Sequence, residues 1–418
     1  MNHTRRNFLK ATLGTSALFT LTPAVPDFLI RPIMADKRRR DERNTVLVVV
    51  QLSGGNDGLN TIVPYEDDEY ARNRPTLRLP KKELHKIDSS LGFHPRMGAF
   101  KRLYEQGHLS IIQAVGYPNS DRTHETAMRI WHTATPAQPD YQTGWLGRTV
   151  DSISESNNNT TLGVFVGPIV KPFALNAQNV FIPSINSLQK LEISKIPGYK
   201  QYLSQLENAA TIDRNEQNNP FMHYLQKGIL NTCENSERIE AVMKKTSNTT
   251  EYPSFELAGS LRTIAQLIRA DIGIRIFFAE LGGGGIGGFD NHANQLGNHC
   301  ALLHQLSESI AAFVNDLKRD KLLNRVLLVT FSEFGRTVKE NGRRGTGHGA
   351  AAPIFLAGGK LKGGLVGSHP SLTDLDNGAL KFQTDFRSVY ATVLDKWLGF
   401  DSRKVLGKQF ELLDILNV

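Results

Sequence analysis

Continuous apolar runs alternate with amphipathic stretches along most of this chain. "NTVLVVVQL" (Asn44–Leu52) has almost no polar interruption, the pattern of a strand buried on both faces of a parallel sheet. It ends in the turn-rich "SGGNDGLN", Ser53 to Asn60. In "HPRMGAFKRLYEQG" (His94–Gly107), Met97, Phe100, Leu103 and Tyr104 recur at helical spacing, and Gly107 is a stop. "LSIIQAVG" (Leu109–Gly116) reads as a second strand and runs into "YPNSDRTHETAMRIW", a loop followed by a helix. "LGVFVG" (Leu162–Gly167) reads as another strand.

From about Ser184 to Glu251 the chain turns polar, rich in Asn, Gln, Lys and Glu, with helical spacing in "YKQYLSQLENA" and "FMHYLQKGIL". This predicts a helical insertion or cap. A core-facing helix (Phe255–Ile272) and a strand (Ile274–Leu281) follow, then the glycine run Gly282–Gly288 and a long helix from Gln295 to Arg319. "RVLLVTFSEFGRT" (Arg325–Thr337) starts as a buried strand and ends in Ser332, Glu333 and Arg336. The loop "KENGRRGTGHGAAA" leads to the strand "PIFLAGG" (Pro353–Gly359), and a last helix covers "DFRSVYATVLDKWLG", with Asp385 in its first turn. Strands alternating with helices predict an α/β fold, a mostly parallel central sheet with helices on both faces. Ligands of such sheets bind outside the carboxyl ends of the strands.

A length of 418 residues suits one large α/β domain with an insertion, or two domains. No apolar run is long enough for a transmembrane segment, which needs about eighteen residues or more. The basic balance is local. Residues 1–40 hold eight Lys or Arg and two acids, against a net +8 for the whole chain, so residues 41–418 carry only +2. The folded body therefore gives no case for nucleic-acid binding. The N-terminal run Thr4-Arg5-Arg6-Asn7-Phe8-Leu9-Lys10, followed by a mildly apolar segment to Val25, matches a twin-arginine signal peptide. It predicts an exported, periplasmic protein cleaved after Ala24 or Ala35, with residues 36–418 as the mature domain. Cys233 and Cys300 have no disulfide-framework spacing and are read as two buried free thiols. The sequons at Asn158, Asn159 and Asn248 are read as polar loop.

Chemistry-bearing residues gather at the strand ends. They are Asn56 and Asp57; Ser120, Asp121, Arg122, Thr123 and His124; Asp290 and His292; Ser332, Glu333 and Arg336; and His348, just before the last strand. If these five loops share one rim, carboxylates and imidazoles converge there, a donor set for a divalent metal. Mixed N and O ligands favour zinc or manganese over magnesium or calcium. The bland alternatives are a turn-forming Asp57, an ion pair of Glu333 with Arg336, and Thr123 as a helix N-cap. The glycine run lacks the helix and the Gly-Lys-Ser/Thr of a nucleotide loop, and is read as backbone approaching Asp290 and His292.

The twin-arginine start, "VVVQLSGGNDGLNTIVPY", "DRTHETAMRIW", "GGFDNHANQ", "LLVTFSEFGRT" and "GTGHGAAAPIFLAGG" occur in that order across nearly the whole mature chain. Together they resemble a large exported bacterial family classed as domain of unknown function 1501, placed in the alkaline-phosphatase-like and sulfatase-like superfamily. The resemblance implies an alkaline-phosphatase-like sandwich with a metal site at the strand ends. It implies Asp57, Asp290, His292, Glu333 and His348 as metal ligands. Thr123 is the implied nucleophile, with Ser120 or water as alternatives. Arg122 and Arg336 are expected to meet the charge of an anionic ester substrate, and His124 to orient its loop. The chain departs from the superfamily in Phe334, where a ligating His is usual, and in Gly347, where Asp often precedes the last His. No Cys stands in a Cys-x-Pro-x-Arg sulfatase signature. The expected function is a metal-dependent hydrolase of phosphate or sulfate esters. The alternative is a non-catalytic exported protein that keeps the fold and holds a protein partner.

Overall fold

The computed structural model describes residues 45–135, 142–154, 163–168, 170–180, 182–185, 250–283 and 288–418. The expected signal peptide (1–35), nearly all of the expected insertion (184–251), Cys233 and the three sequons lie outside the described residues. Cys300 is free and half-buried rather than buried.

The centre is a nine-stranded mixed sheet. Its strands are β1 (Val46–Leu52), β2 (Leu109–Gly116), β3 (Gly163–Val166), β4 (Ser184–Ile185), β5 (Ile276–Leu281) and β6 (Val326–Phe331). After β6 the chain makes a separate hairpin of β7 (Arg336–Glu340) and β8 (Thr346–His348), then returns as β9 (Ala352–Gly358), β10 (Gly364–Val366) and β11 (Thr384–Asp385). The order across the sheet is β10–β2–β9–β6–β1–β5–β3–β4, with β11 also pairing β2. β1 runs parallel to β5 on one side and to β6 on the other, Leu47 lying opposite both Ile276 and Leu327. Every pairing in this sheet is parallel except the two made by β9, which is antiparallel to β2 and β6.

All seven residues of β1 are buried. Val46, Val48, Val50 and Leu52 pack into one core and Leu47 and Val49 into the other, the period-2 alternation of a strand covered on both faces. The first core is closed by α1 (Gly98–Glu105), α4 (Glu256–Ala270) and α5 (Gln295–Arg319), through Phe100, Ile264, Leu306 and Ile310. The second is closed by α2 (His124–Thr133), α3 (Trp145–Ser154) and α6 (Phe386–Thr392), through Trp131, Trp145 and Tyr390. Each fully buried Val, Leu or Phe contributes on the order of 1.5–3 kcal/mol. The acid expected at the start of the last helix is its N-cap: Asp385 accepts from the Arg387 backbone N–H. The helix itself stops being α-helical at Thr392 and continues as a π-helical stretch to Leu398.

Two features change the expected layout. The segment read as a loop, 339–352, holds most of a β-hairpin, since Arg336 pairs with His348 and Glu340 with Thr346. The strand that follows runs backwards. In an all-parallel sheet a residue just before a strand lies on the rim opposite to residues just after one. The reversal of β9 therefore puts His348, which precedes it, on the rim where β1, β5 and β6 end.

Candidate metal centre

The first layer of the site is backbone. After β1 the chain turns through Gly54, at φ +112, and Gly55, at φ +79, conformations that glycine adopts without steric cost. A Cβ on Gly54 would stand 2.4 Å from the Asp290 nitrogen, so glycine here lets the β1 loop lie directly on the loop after β5. Gly345 does the same for the hairpin, where a Cβ would stand 2.2 Å from the His292 carbonyl carbon. Three loops far apart in sequence are thereby laid against one another.

Arg336 ties them together. Its side chain is 1 % exposed and donates to the carbonyls of Gly55 (2.7 Å), Phe289 (3.0 Å), Thr346 (3.4 Å) and Gly54, and to Asp290 Oδ1 (2.7 Å). Arg336 was expected to balance Glu333 or to meet substrate; its hydrogen bonds go instead to these carbonyls and to Asp290. Its guanidinium is used up on backbone carbonyls and one carboxylate, and no face of it is left for a ligand. Burial raises the Asp290 pKa, but the hydrogen bond and charge of Arg336 outweigh it and hold the carboxyl below its ordinary value.

Around Asp290 Oδ1 stand three imidazoles. His292 Nε2 is 2.9 Å away, His348 Nε2 3.2 Å and His124 Nε2 3.4 Å. His292 and His348, 56 positions apart in sequence, have their Nε2 atoms 2.9 Å from each other. His348 Nδ1 lies 2.7 Å from the Arg122 carbonyl oxygen, and His124 Nδ1 lies 2.9 Å from Glu333 Oε1. A carbonyl and a carboxylate only accept, so both Nδ1 atoms carry a proton, and each ring, when neutral, turns an Nε2 lone pair inward. His124 Nε2 is buried without a hydrogen-bond partner among the described residues.

That arrangement fits a cation. Inward lone pairs facing a carboxylate oxygen repel unless a positive centre lies between them. His124, Asp290 and His348 each offer one ligand atom, all within 4.8 Å of one another. Tetrahedral zinc with bonds of about 2.0–2.1 Å separates its ligand atoms by about 3.3 Å, close to the spacings from Asp290 to His348 and His124. The N/O donor set is that of zinc or manganese. The carboxylate-to-imidazole contact of Glu333 with His124 is the support that orients a ligating ring and raises its basicity. Accordingly the His124 pKa is raised, first by the Glu333 hydrogen bond. The His292 pKa is lowered, chiefly by burial. Phe334 adds no ligand. Its ring packs 4.6 Å from the His348 ring and 4.9 Å from the His124 ring, an apolar wall on the cluster.

Glu333 is 2 % exposed and accepts from Gly54 N (2.8 Å) and Ser332 Oγ (3.1 Å) besides meeting His124, so it stands one step behind the cluster. Asp57 is not brought into the cluster at all. Its carboxylate forms a two-pronged ion pair with Arg74, at 2.6 and 3.0 Å, and accepts from Gln295. Both partners are buried, Arg74 at 0 % exposure and Asp57 at 3 %. Burial opposes the charge of Asp57, yet Arg74 outweighs it and lowers the pKa to about 2. Arg74 also donates to the carbonyls of Thr337 (2.9 Å) and Val338 (2.6 Å), and Gln295 accepts from Thr346 Oγ1 (2.7 Å). The network Arg74–Asp57–Gln295–Thr346 thus braces both strands of the hairpin that carries His348.

Arg122 and Thr123 are likewise engaged elsewhere. The Arg122 guanidinium pairs with the Asp376 carboxylate (2.9 Å) and donates to the carbonyls of Asp376 and Asn377. What it offers the cluster is its own carbonyl oxygen. Thr123 is exposed at the position before α2 and donates its hydroxyl to Asp121 Oδ1 (2.6 Å) rather than capping the helix. Sequence reasoning placed His124 among the strand-end residues but expected it to orient its loop, whereas its Nε2 faces Asp290 Oδ1 with His292 and His348. It missed Arg74 because no local pattern marks a buried arginine.

An α/β protein with a His and Asp cluster at the rim of a mostly parallel sheet is the class defined so far. The chain belongs to the family described as "Protein of unknown function (DUF1501)", which matches residues 44–414. No curated protein matches it. Among solved structures it is similar to the C-terminal periplasmic domain of EcEptC from Escherichia coli in complex with Zn, at 10 % identity and TM-score 0.37, covering 76 % of this chain and 74 % of that one. It is also similar to a protein in the alkaline phosphatase superfamily from Vibrio parahaemolyticus (10 % identity, TM-score 0.39, 88 % and 71 % covered). A third is the PsFucS1 sulfatase from Pseudoalteromonas sp. (10 % identity, TM-score 0.39, 94 % and 76 % covered). At these values the likenesses assign no residue a role.

Proposed function

We propose that this protein is an exported, divalent-metal-dependent hydrolase of phosphate or sulfate esters. The observation that carries the reading is the convergence of three imidazole Nε2 atoms on Asp290 Oδ1, with His124 Nε2 buried and unpartnered. His124, His348 and Asp290, with His292 beside them, would hold zinc or manganese. A bound divalent ion supplies Lewis-acid polarisation of an ester oxygen. Glu333 and the Arg122 carbonyl keep the Nδ1 protons of His124 and His348 in place, so that both rings stay oriented toward the centre. Phe334 excludes water from one side. Thr123, one residue before His124, remains the candidate nucleophile. Its hydroxyl already donates to Asp121 Oδ1 (2.6 Å), and that carboxylate would take the proton as the oxygen attacks the ester. The purified mature protein is expected to contain zinc or manganese near one equivalent and to hydrolyse an aryl phosphate, phosphodiester or sulfate. Activity that survives exhaustive chelation would exclude this reading.

A second reading has its own support. Phe334 occupies a position where a further ligand is expected, and Arg122, Arg336 and Thr123 are all bonded within the protein. These favour a non-catalytic exported protein that keeps one metal and holds a protein partner. A metal-loaded protein inert toward a broad ester panel would support it.

A further inference from the structure

With Arg122 and Arg336 spent on internal partners, an anionic substrate must find positive charge elsewhere. The turn between β7 and β8 presents it. Arg343 and Arg344 are exposed, and among the described residues neither side chain has a hydrogen-bond or ion-pair partner. Lys339 on β7 is exposed and unpaired in the same way, as is Arg78. The acid nearest in sequence, Glu340, is consumed by the backbone N–H groups of Thr76 and Leu77 and by the Thr76 hydroxyl. This concentration of charge stands out because residues 41–418 as a whole carry only +2.

The turn is rigid and joined to the cluster. The Arg343 and Arg344 carbonyls accept from Asn294 N (3.0 Å) and Gln295 N (2.9 Å), two and three positions past His292. Asn341 donates to the His292 carbonyl (3.0 Å) and accepts from Arg343 N (2.9 Å) and Gly345 N (3.2 Å). Arg344 itself sits at φ 57, in the left-handed region, where glycine or asparagine is more at ease. An arginine held at such a position, with no partner among the described residues, is a reason to look for one in a ligand.

We propose that Arg343 and Arg344 form a subsite for a second anionic group, so that the substrate is a linear polyanion bearing repeated phosphate or sulfate groups. The metal centre engages one group while the arginines grip a neighbouring one. The inference rests on the ester-hydrolase reading for its substrate class, but the binding it requires is measurable without turnover. The shared chemistry is a tetrahedral oxyanion matched to the guanidinium fork.

The test uses the mature protein, once with zinc and once with a chelator, titrated with fluorescein-labelled dextran sulfate and with long-chain polyphosphate at several salt concentrations. Wild type is expected to bind one of them with an affinity that falls as salt rises. Arg343→Gln with Arg344→Gln should bind about tenfold more weakly, with a salt slope smaller by about two. A control of equal charge change, Lys404→Gln with Lys408→Gln, should lose less than about twofold. Preference for dextran sulfate or for polyphosphate identifies the anion. No binding by wild type, or an equal loss in the control, overturns the subsite. Binding with no hydrolysis of any ester supports the subsite and sinks the hydrolase reading. Hydrolysis of small aryl esters with no polyanion binding does the reverse.

Discussion

At the residue scale, the cluster depends on which nitrogen of each imidazole carries its proton. Removing the negative charge of the acceptor behind His124 tests that dependence. Glu333→Gln is expected to weaken zinc binding by about 10–100-fold, the usual effect of losing the group behind a ligating ring. His348→Ala should abolish stoichiometric binding. Equilibrium dialysis with folding checked by circular dichroism measures both, and unchanged zinc content in His348→Ala would remove the centre altogether. The pH dependence has a definite sign. The Glu333 hydrogen bond raises the His124 pKa, so its imidazole holds two protons to a higher pH than a free one. A metal must displace the Nε2 proton. Affinity therefore rises as pH passes through the range in which that raised group loses its proton, above the ordinary imidazole value. Titration of zinc affinity across that range should show tighter binding at the upper end, and a flat profile would mean that His124 is no ligand.

At the scale of elements, the β7–β8 hairpin is the part that presents His348, and its support is electrostatic. Arg74 and Asp57 are both buried and bonded to each other, so removing one leaves the other uncompensated in a low dielectric. Asp57→Asn is expected to destabilise the fold by about 3–5 kcal/mol, read from urea unfolding. A loss under about 1 kcal/mol would show that the pair is not the brace described. The same pair predicts acid sensitivity. The folded pKa of Asp57, about 2, lies below the ordinary aspartate value of 3.8, so its stabilisation is complete above about pH 4 and is lost as pH falls toward 2. The loop residues Gly54 and Gly345 were legible in sequence only as turn formers. That each is a zero-clearance contact with a segment more than fifty or two hundred positions away along the chain was not, because close approach of two backbones leaves no periodic trace.

For the whole molecule, a metal that binds only the folded state must raise its stability. Zinc at 100-fold excess over Kd stabilises by about 2.7 kcal/mol, which should move the thermal midpoint upward by several degrees in calorimetry and return it with a chelator. Absence of any shift would leave the cluster without a cation. The ordered Arg5-Arg6-Asn7-Phe8-Leu9-Lys10 run predicts export that depends on the arginine pair. Arg5→Lys with Arg6→Lys should retain the precursor in the cytoplasm on cell fractionation. Normal export of that double variant would end the twin-arginine reading.

Much of this protein was determined by local sequence. The strands of the central sheet follow from apolar runs such as Val46–Leu52 and Val326–Phe331, because burial on both faces demands uninterrupted apolar side chains. The long helix Gln295–Arg319 follows from its spacing of Leu302, Leu303, Leu306 and Ile310. Asp290, His292 and His348 stood out because imidazoles and carboxylates in glycine-rich turns have little else to pack against. Tertiary structure alone decided the rest. The direction of β9 depends on which edge its partners offer, and that direction put His348 on the shared rim. The fate of each charge was set by neighbours far along the chain: Arg74 meets Val338 at a separation of 264 positions, and Arg336 meets Gly55 at 281. A charged side chain next to a strand end looks the same in sequence whether it points to solvent, to substrate or into the core. Burial and the nearest unpaired carbonyl decide which, and neither is a property of a segment read by itself.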